Sequence, residues 1–300
     1  MSHAPGPSTH VPAAGSRTET SPSTIIPGRY NPRFTRLFAW WVRKMMRKDF
    51  FAVRLARENA GLLALLEGHP GPVIVALNHA SWWDPLVSLV LHARFTPGRF
   101  PTGPVEAEQF KRFGFMSKLG LFGIDPHDPR SAPLLVDHCL GLFRQQPLTS
   151  LWVTPQAQFV DPRRKIQIRP GVSMVAAACE GLNPRALSVA IEYVMWVDRK
   201  PELLLRFQEV VPPTGDPSAE STDLAEPRSV ARGSTTAWHR AFTKAMRANQ
   251  AALAELSMAR DPAAFEVILG GDEGRINPLY DLWQRLRKRG GGIKAREFDG

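Results

Sequence analysis

Runs of apolar residues along the chain predict buried β-strands separated by helices. The run Pro-Val-Ile-Val-Ala-Leu at residues 72–77 is uncharged, rich in β-branched residues and bounded by turn-forming residues, which is typical of a buried strand. Further strand patterns occur at residues 103–107, 148–153, 187–194 and 203–210. Helical patterns lie between them, at residues 84–94, 134–145 and 172–180. This alternation predicts an α/β fold with a central, mostly parallel sheet flanked by helices.

The two ends of the chain have other patterns. Residues 1–29 are polar and contain many Pro, Ser and Thr residues, so we predict a disordered tail. The main domain is predicted over residues 30–212 and begins with N-terminal amphipathic helices. Residues 213–234 are polar and contain prolines, which predicts a linker loop. Residues 235–300 are predicted to form a helical C-terminal extension, with helices at 235–260 and 278–289.

Residues 31–59 combine bulky aromatic residues with cations. The aromatic residues are Phe34, Phe38, Trp40, Trp41, Phe50 and Phe51, and the cations are Arg33, Arg36, Arg43, Lys44, Arg47 and Lys48. A basic helix of this kind can lie in the interface of an anionic membrane, with its rings at headgroup depth. The alternative is an ordinary helix whose aromatic stripe packs on the core. The sequence leaves both interpretations open.

Composition favours an anionic partner. Lys and Arg number 38 against 28 Asp and Glu, which gives a net charge of +10. The sequence has no nucleic-acid recognition motif, so we expect no nucleic acid as a partner. The two cysteines cannot form a disulfide framework, and residues 1–29 lack the apolar run of a secretory signal. The longest apolar runs are far shorter than the roughly 20 residues that span a bilayer. We therefore expect a cytoplasmic protein whose membrane contact is peripheral.

The turn after the strand at residues 72–77 carries the most informative side chains. It reads Asn78-His79-Ala80-Ser81-Trp82-Trp83-Asp84, a histidine five residues before a carboxylate. Asp84-Pro85 has the form of a helix N-cap followed by proline, so the pair is predicted at the carboxyl edge of the sheet, where α/β proteins bind ligands. A histidine there can remove a proton from a hydroxyl near neutral pH, and a carboxylate can hold its ring.

This turn has three other interpretations. A lone histidine in a turn is most often a structural residue. Ser81 is a poor candidate for a nucleophile because it lacks the G-x-S-x-G elbow. Zinc binding by His79 and Asp84 lacks a third ligand nearby, so we expect no metal.

The string N-H-x-S-x-x-D at residues 78–84 resembles the first motif of the lysophospholipid (glycerolipid) acyltransferase superfamily. Further blocks follow in that family's order, so that the resemblance covers about residues 50–210. It implies an O-acyltransferase in which His79 is the general base and Asp84 its partner. Asn78, which can also brace the turn, and Ser81 are candidates for the substrate site. The resemblance also implies acyl-CoA or acyl carrier protein as co-substrate, a lipid hydroxyl as acceptor and no permanently bound cofactor.

A second block, at residues 113–125, is similar to the family segment that runs from a helix through a glycine to a short strand. In the family this segment ends in an arginine that helps to hold the phosphate of the acceptor. The corresponding residue here is Pro126. Arg130, four residues later, is a candidate to replace it.

A third block, at residues 151–158, is similar to the family's F-P-E-G-T loop at a strand end. Pro155 matches, whereas Gln156, Ala157 and Gln158 stand in place of the glutamate, glycine and threonine. The resemblance implies that Pro155, Gln156 and Gln158 contact the acceptor.

Basic residues follow the third block. Arg169-Pro170-Gly171 matches the family's step from a basic residue through proline and glycine into a helix, and Arg163, Arg164 and Lys165 precede it. These cations are candidates for binding a phosphate, although a solvated hairpin explains Arg163, Arg164 and Lys165 equally well. A fourth block, at residues 187–191, resembles the family's V-P-V strand with Ser188 in place of proline.

The departures from the family pattern concern acceptor recognition, whereas His79 and Asp84 match it. We therefore expect an acyltransferase of phospholipid or related lipid biosynthesis, peripheral on the inner face of the membrane. Its acceptor would be lysophosphatidate, a glycolipid or another hydroxyl lipid. The alternative is a non-catalytic, membrane-associated lipid-binding protein on the same fold.

Overall fold

The computed structural model describes residues 25–196, 198–211 and 227–271, with side chains of the last range described from residue 235. These residues contain eight strands: β1 Ala52–Ala56, β2 Val73–Leu77, β3 Phe100–Glu106, β4 Leu121–Ile124, β5 Thr149–Val153, β6 Arg185–Val194, β7 Glu202–Val210 and β8 Phe265–Gly270. They form one sheet with the order β4-β3-β5-β2-β6-β7-β1-β8. Five neighbouring pairs are parallel, and β6–β7 and β1–β8 are antiparallel. The predicted mostly parallel sheet and its five predicted strands are confirmed.

Helices cover both faces of this sheet. They are α1 Pro32–Asp49, α2 Leu62–Leu65, α3 Asp84–Phe95, α4 Ala107–Arg112, α5 Ser131–Gln145, α6 Gly171–Ala178 and α7 Pro227–Ala259. The alternation of β2 separates two cores: Val73, Val75 and Leu77 pack with α1, α2 and α3, whereas Ile74 and Ala76 pack with α5, α6 and α7. The strand is apolar throughout because both of its faces are covered.

The N-terminal helix is shorter than the pattern of residues 31–59 predicted. It begins where the Asn31 side chain accepts hydrogen bonds from the N–H groups of Arg33 and Phe34, and it ends at Asp49. Residues Ala52–Ala56 then form β1, which pairs with β7 on one side and β8 on the other. The helical interpretation of residues 52–56 was therefore wrong.

The C-terminal region contributes to the same sheet. α7 begins at Pro227, inside the predicted linker of residues 213–234, and runs to Ala259. Strand β8 then pairs antiparallel with β1, whereas the sequence pattern predicted a purely helical extension over residues 235–300. The predicted helix at residues 278–289 lies outside the described residues.

The predicted disordered tail is too long at its C-terminal end. Ile26 exchanges two backbone hydrogen bonds with Gly123 of β4, at 2.9 and 2.8 Å, and the Arg29 N–H donates to the Ser117 carbonyl at 2.9 Å. Residues 25–29 are therefore attached to the edge of the sheet. Residues 1–24 lie outside the described part of the chain.

Candidate active site

The turn after β2 lies at the carboxyl edge of the sheet, as predicted. Because β2 is parallel to both β5 and β6, the carboxyl ends of these strands lie at the same edge. Leu77, the last residue of β2, pairs with Val189, and β6 continues beyond this pair to Val194. The last residues of β6 therefore lie alongside the turn.

Asn78 attaches the turn to β6. Its Nδ2 donates to the Ile191 carbonyl at 2.9 Å, and its Oδ1 accepts from the Ile191 N–H at 2.7 Å. The residue is only 2% exposed. Both ends of the amide thus bind the neighbouring strand, so the structure places Asn78 as a support of the turn and not at a substrate surface.

His79 and Asp84 form a close pair within the turn. Nδ1 of His79 lies 2.8 Å from Oδ2 of Asp84, and their side chains are 17% and 0% exposed. Oδ2 also accepts from the N–H groups of Ala80 and Ser81, at 2.8 and 2.9 Å. The predicted N-cap is displaced by one residue: Trp83 is the cap, and Asp84 is the first residue of α3. The Asp84 carboxylate closes the turn before the helix by accepting the hydrogen bonds from Ala80 and Ser81.

This pairing fixes which nitrogen of His79 is available. A carboxylate only accepts hydrogen bonds, so Nδ1 carries the proton of the neutral ring and Nε2 keeps its lone pair. No hydrogen bond to Nε2 occurs in the described part of the chain. A partly exposed imidazole in front of a buried carboxylate can take a proton from a hydroxyl and then be stabilised as imidazolium.

Tyr193 completes the surroundings of Asp84 and was not predicted as a site residue. Its hydroxyl donates to Oδ1 of Asp84 at 2.6 Å, across 109 residues of sequence. Burial, followed by the negative charge of Asp84, raises the pKa of the Tyr193 hydroxyl far above its usual value, so that it stays protonated. The sequence offered one indication that Tyr193 belongs to the site. It lies in the strand predicted at residues 187–194, two residues after Ile191 and therefore on the same face.

The loop after β5 holds the backbone of His79. Oε1 of Gln156 accepts the His79 N–H at 2.8 Å, and the Val160 N–H donates to the His79 carbonyl at 2.7 Å. Gln156 is 6% exposed. The structure therefore places its side-chain carbonyl against the turn, although the resemblance implied a contact with the acceptor.

The neighbours of Gln156 differ in position. Pro155 is buried and its carbonyl accepts the Arg169 N–H at 2.8 Å, whereas Gln158 is exposed. Ala157 has a φ of 53°, in the left-handed region that glycine adopts most easily. The resemblance implies a glycine at this position, and the backbone of this loop explains why a glycine suits it.

Two exposed aromatic side chains, Trp82 on the turn and Phe159 on the loop after β5, were not predicted as site residues. The ring of Phe159 lies 4.4 Å from that of His79, centroid to centroid, and the ring of Trp82 stacks on Trp83 at 4.4 Å. Phe159 and Trp82 are 62% and 59% exposed. Phe159 therefore places an apolar ring against the imidazole.

Ser81 is not bonded to the imidazole. Its hydroxyl accepts the Trp83 N–H at 3.3 Å and lies beside the Tyr193 hydroxyl. The described side-chain hydrogen bond of the His79 imidazole is to Asp84, through Nδ1. The described geometry therefore gives Ser81 no base that would activate it as a nucleophile.

Two of the predicted phosphate-binding arginines are paired with local carboxylates. Nη2 of Arg130 lies 2.7 Å from Oδ2 of Asp128, and Nη2 of Arg163 lies 2.6 Å from Oδ2 of Asp161. The hydrogen bonds from Arg163 hold the pKa of Asp161 well below its usual range. Neither arginine has a hydrogen bond to His79 or Asp84 within the described residues.

Arg169 differs from these two arginines. Its Nη1 donates to the carbonyl oxygen of Pro126 at 2.7 Å, and no described carboxylate pairs with it. Arg169 therefore lies beside Pro126, the residue that stands where the acyltransferase family has an arginine. Arg164 is exposed and lies close enough to Asp161 for their charges to interact.

Other reactive groups lie apart from this edge. Cys139 and Cys179 are free and buried, and burial raises the pKa of the Cys179 thiol to about 12. Thiols of this kind are poor nucleophiles at neutral pH. The described ranges contain no group of three or more His, Cys, Asp or Glu residues that could hold a metal ion.

No protein-family model and no curated protein sequence matches the chain. Among solved structures, it is similar to the crystal structure of the 1-acyl-sn-glycerophosphate (LPA) acyltransferase PlsC from Thermotoga maritima, with 15% identity and a TM-score of 0.37. The match covers 70% of this chain and 75% of that one.

Proposed function

We propose that the protein is an O-acyltransferase that moves an acyl group from a thioester to a hydroxyl of a lipid. The observation that carries this proposal is the 2.8 Å contact between Nδ1 of His79 and Oδ2 of the buried Asp84, which leaves Nε2 without a hydrogen-bond partner among the described residues, beside the exposed ring of Phe159. The resemblance of residues 78–84 to the acyltransferase motif supports the same assignment.

The chemistry follows from this arrangement. Nε2 of His79 removes the proton of the acceptor hydroxyl while the oxygen attacks the thioester carbonyl, which forms a tetrahedral intermediate. Asp84 stabilises the imidazolium through Nδ1. The carbon–sulfur bond then breaks, and the leaving thiolate takes the proton from Nε2. The products are an ester and a free thiol, and Ser81 is not the nucleophile. The thioester donor is acyl-CoA or acyl carrier protein, bound as a co-substrate.

Thiol release tests this reaction directly. The purified protein should release thiol from acyl-CoA or acyl carrier protein rapidly only when a lipid extract supplies an acceptor. Release that proceeds equally well without lipid would indicate a thioesterase, and no release from any donor would favour a non-catalytic lipid-binding protein.

Acceptor selectivity is the second part of the proposal: the preferred acceptor is a glycolipid or another hydroxyl lipid, and not lysophosphatidate. A bound phosphate needs charge-assisted donors, and Pro126 has none. Arg130 and Arg163, two of the arginines that could bind a phosphate instead, are paired with Asp128 and Asp161. Selectivity can be measured by offering lysophosphatidate, a glycolipid and a hydroxylated aminolipid together with one acyl-CoA, and we expect the lowest kcat/KM for lysophosphatidate.

Arg169 provides the control for this prediction, because it is the cation beside Pro126 that lacks a described carboxylate partner. Arg169→Gln should change the three kcat/KM values by similar factors. If lysophosphatidate is preferred, and Arg169→Gln selectively removes that preference, the acceptor is a phosphomonoester and Arg169 binds it.

The third part of the proposal is peripheral association of α1 with the inner, anionic face of the membrane. Ala39, Val42 and Met46 of α1 face the core, whereas Trp40 and Trp41 are 53% and 48% exposed. The helix therefore keeps aromatic side chains outside the core, beside cations that suit anionic headgroups. No helix within the described residues is long and apolar enough to cross a bilayer.

Vesicle sedimentation tests this association. The protein should bind anionic vesicles at low salt and detach as salt increases, because part of the attraction is Coulombic. Arg43→Glu combined with Lys44→Glu should abolish most binding. The control, Arg240→Glu with Lys244→Glu on α7, changes the net charge equally and should retain it. Equal binding by both variants, or no binding by the wild type, would contradict the proposal.

A further inference from the structure

Tyr193 occupies a position from which it can control the His79–Asp84 pair. It lies near the carboxyl end of β6, where it pairs with Leu203 of β7. Its ring packs against Phe50 at 6.0 Å, and Phe50 in turn contacts Trp83 edge to face at 4.9 Å. The ring is thus held by the sheet and the core, and its hydroxyl reaches the turn.

The Asp84 carboxylate divides its hydrogen bonds unequally between its two oxygens. Oδ2 accepts from His79 Nδ1 and from the N–H groups of Ala80 and Ser81. Oδ1 accepts from Tyr193, at 2.6 Å. Among the described residues, Tyr193 is the only side chain besides His79 that donates to this carboxylate. Without it, Oδ1 of a fully buried carboxylate would lose its donor.

Other charged groups near this part of β6 face away from the pair. Glu192, the next residue, points to the opposite face of the strand, where it accepts a hydrogen bond from Ser257 at 3.2 Å. Arg163 and Asp161 interact electrostatically with Glu192. Among the described residues of β6 and α3, Tyr193 is therefore the one further titratable side chain that contacts His79 or Asp84. Its raised pKa keeps the hydroxyl protonated, so it remains a neutral donor.

We propose that Tyr193 is a positioning residue for acyl transfer. Its hydroxyl binds Oδ1 of the Asp84 carboxylate and so limits how strongly the carboxylate attracts the imidazolium proton, while the N–H groups of Ala80 and Ser81 keep Oδ2 directed to His79. This inference rests on the proposed function. A hydrogen bond to a carboxylate spreads its charge. Without this bond, Asp84 would stabilise the imidazolium more strongly, and the imidazolium would return its proton to the leaving thiolate less readily.

The test is Tyr193→Phe, which removes the hydroxyl and keeps the ring. We expect kcat to fall about tenfold with KM changed less than about twofold, because the imidazolium returns its proton to the leaving thiolate less readily. In NMR titrations of the full chain, the midpoint of the His79 ring should rise by about one pH unit, which corresponds to the same tenfold factor, because the carboxylate then attracts the imidazolium proton more strongly. The control is Tyr30→Phe, in a tyrosine that packs on Phe100, and it should change neither quantity.

A double mutant separates positioning from direct action on the substrate. If Tyr193 acts through Asp84, Tyr193→Phe should cost less than about twofold in an Asp84→Ala background. An equal cost in both backgrounds, or an unchanged kcat and NMR midpoint in a folded Tyr193→Phe protein, would overturn the proposal.

The NMR titration also separates this inference from the proposed function. If the wild type transfers no acyl group, the proposed function fails, while the His79 midpoint still decides whether Tyr193 controls the pair. If Tyr193→Phe does not fold, Tyr193→3-fluorotyrosine keeps the hydroxyl and makes it a stronger donor, so the midpoint should fall. A midpoint that rises or does not change would overturn the inference.

Discussion

Replacing His79 with alanine is expected to lower kcat/KM for acyl transfer by about 10²–10⁴-fold, the usual contribution of a general base. The fold should persist, because residue 79 is held through its backbone by Gln156 and Val160, at 2.8 and 2.7 Å, and alanine keeps both bonds. Steady-state kinetics gives the loss, and circular dichroism shows whether the variant is folded. Near wild-type turnover in a folded His79→Ala protein would contradict the mechanism.

Asp84→Asn should produce a severe loss by a different route. An amide has one acceptor oxygen, whereas the carboxylate accepts from His79, Ala80, Ser81 and Tyr193. The imidazolium would lose its negatively charged partner. Asp137→Asn, at an exposed position on α5, is the matched control and should retain activity.

The largest expected effect on stability concerns Arg99. This side chain is 2% exposed, and its guanidinium donates to the carbonyl groups of Leu66, His69, Gly71 and Thr149 and to the Ser150 hydroxyl. It joins the loop before β2 to the start of β5. Arg99→Met keeps much of the apolar volume and removes all the donors, so several buried acceptors would lose their partner. We expect the free energy of unfolding to fall by about 3 kcal/mol or more.

Chemical denaturation with Arg94→Met as control measures this effect. Arg94 is exposed on α3, and its replacement should change the free energy of unfolding by no more than about 0.5 kcal/mol. A similar, small change for both variants would show that the buried guanidinium of Arg99 contributes little.

β2 was predictable because it is a continuous apolar run covered on both faces. β1 and β8 were not predicted, for reasons that differ. β1 has the sequence Ala-Val-Arg-Leu-Ala, and its arginine continues the basic pattern of the preceding helix. β8 has the sequence Phe-Glu-Val-Ile-Leu-Gly, a short apolar run that was not predicted as a strand; its pairing with β1, more than 200 residues earlier in the chain, is what no local pattern encodes.

The candidate site shows the same division between local and long-range information. His79 and Asp84 were identified because they lie five residues apart in one turn. Gln156 and Tyr193 contact that turn across 77 and 109 residues, so only the folded sheet brings them together. The sequence also could not decide whether Arg130 and Arg163 bind a ligand or the aspartates that precede them by two positions.

Identification of the reaction product tests the central claim most directly. Wild-type protein and His79→Ala are incubated with acyl-CoA or acyl carrier protein that carries a labelled acyl chain, together with a total lipid extract, and the labelled lipids are analysed by mass spectrometry. We predict that the wild type places the acyl group in an ester on a lipid hydroxyl and that the variant does so at least about 100-fold more slowly. Equal labelling by both proteins, or labelled free fatty acid as the only product, would contradict an acyl transfer that uses His79 as its base.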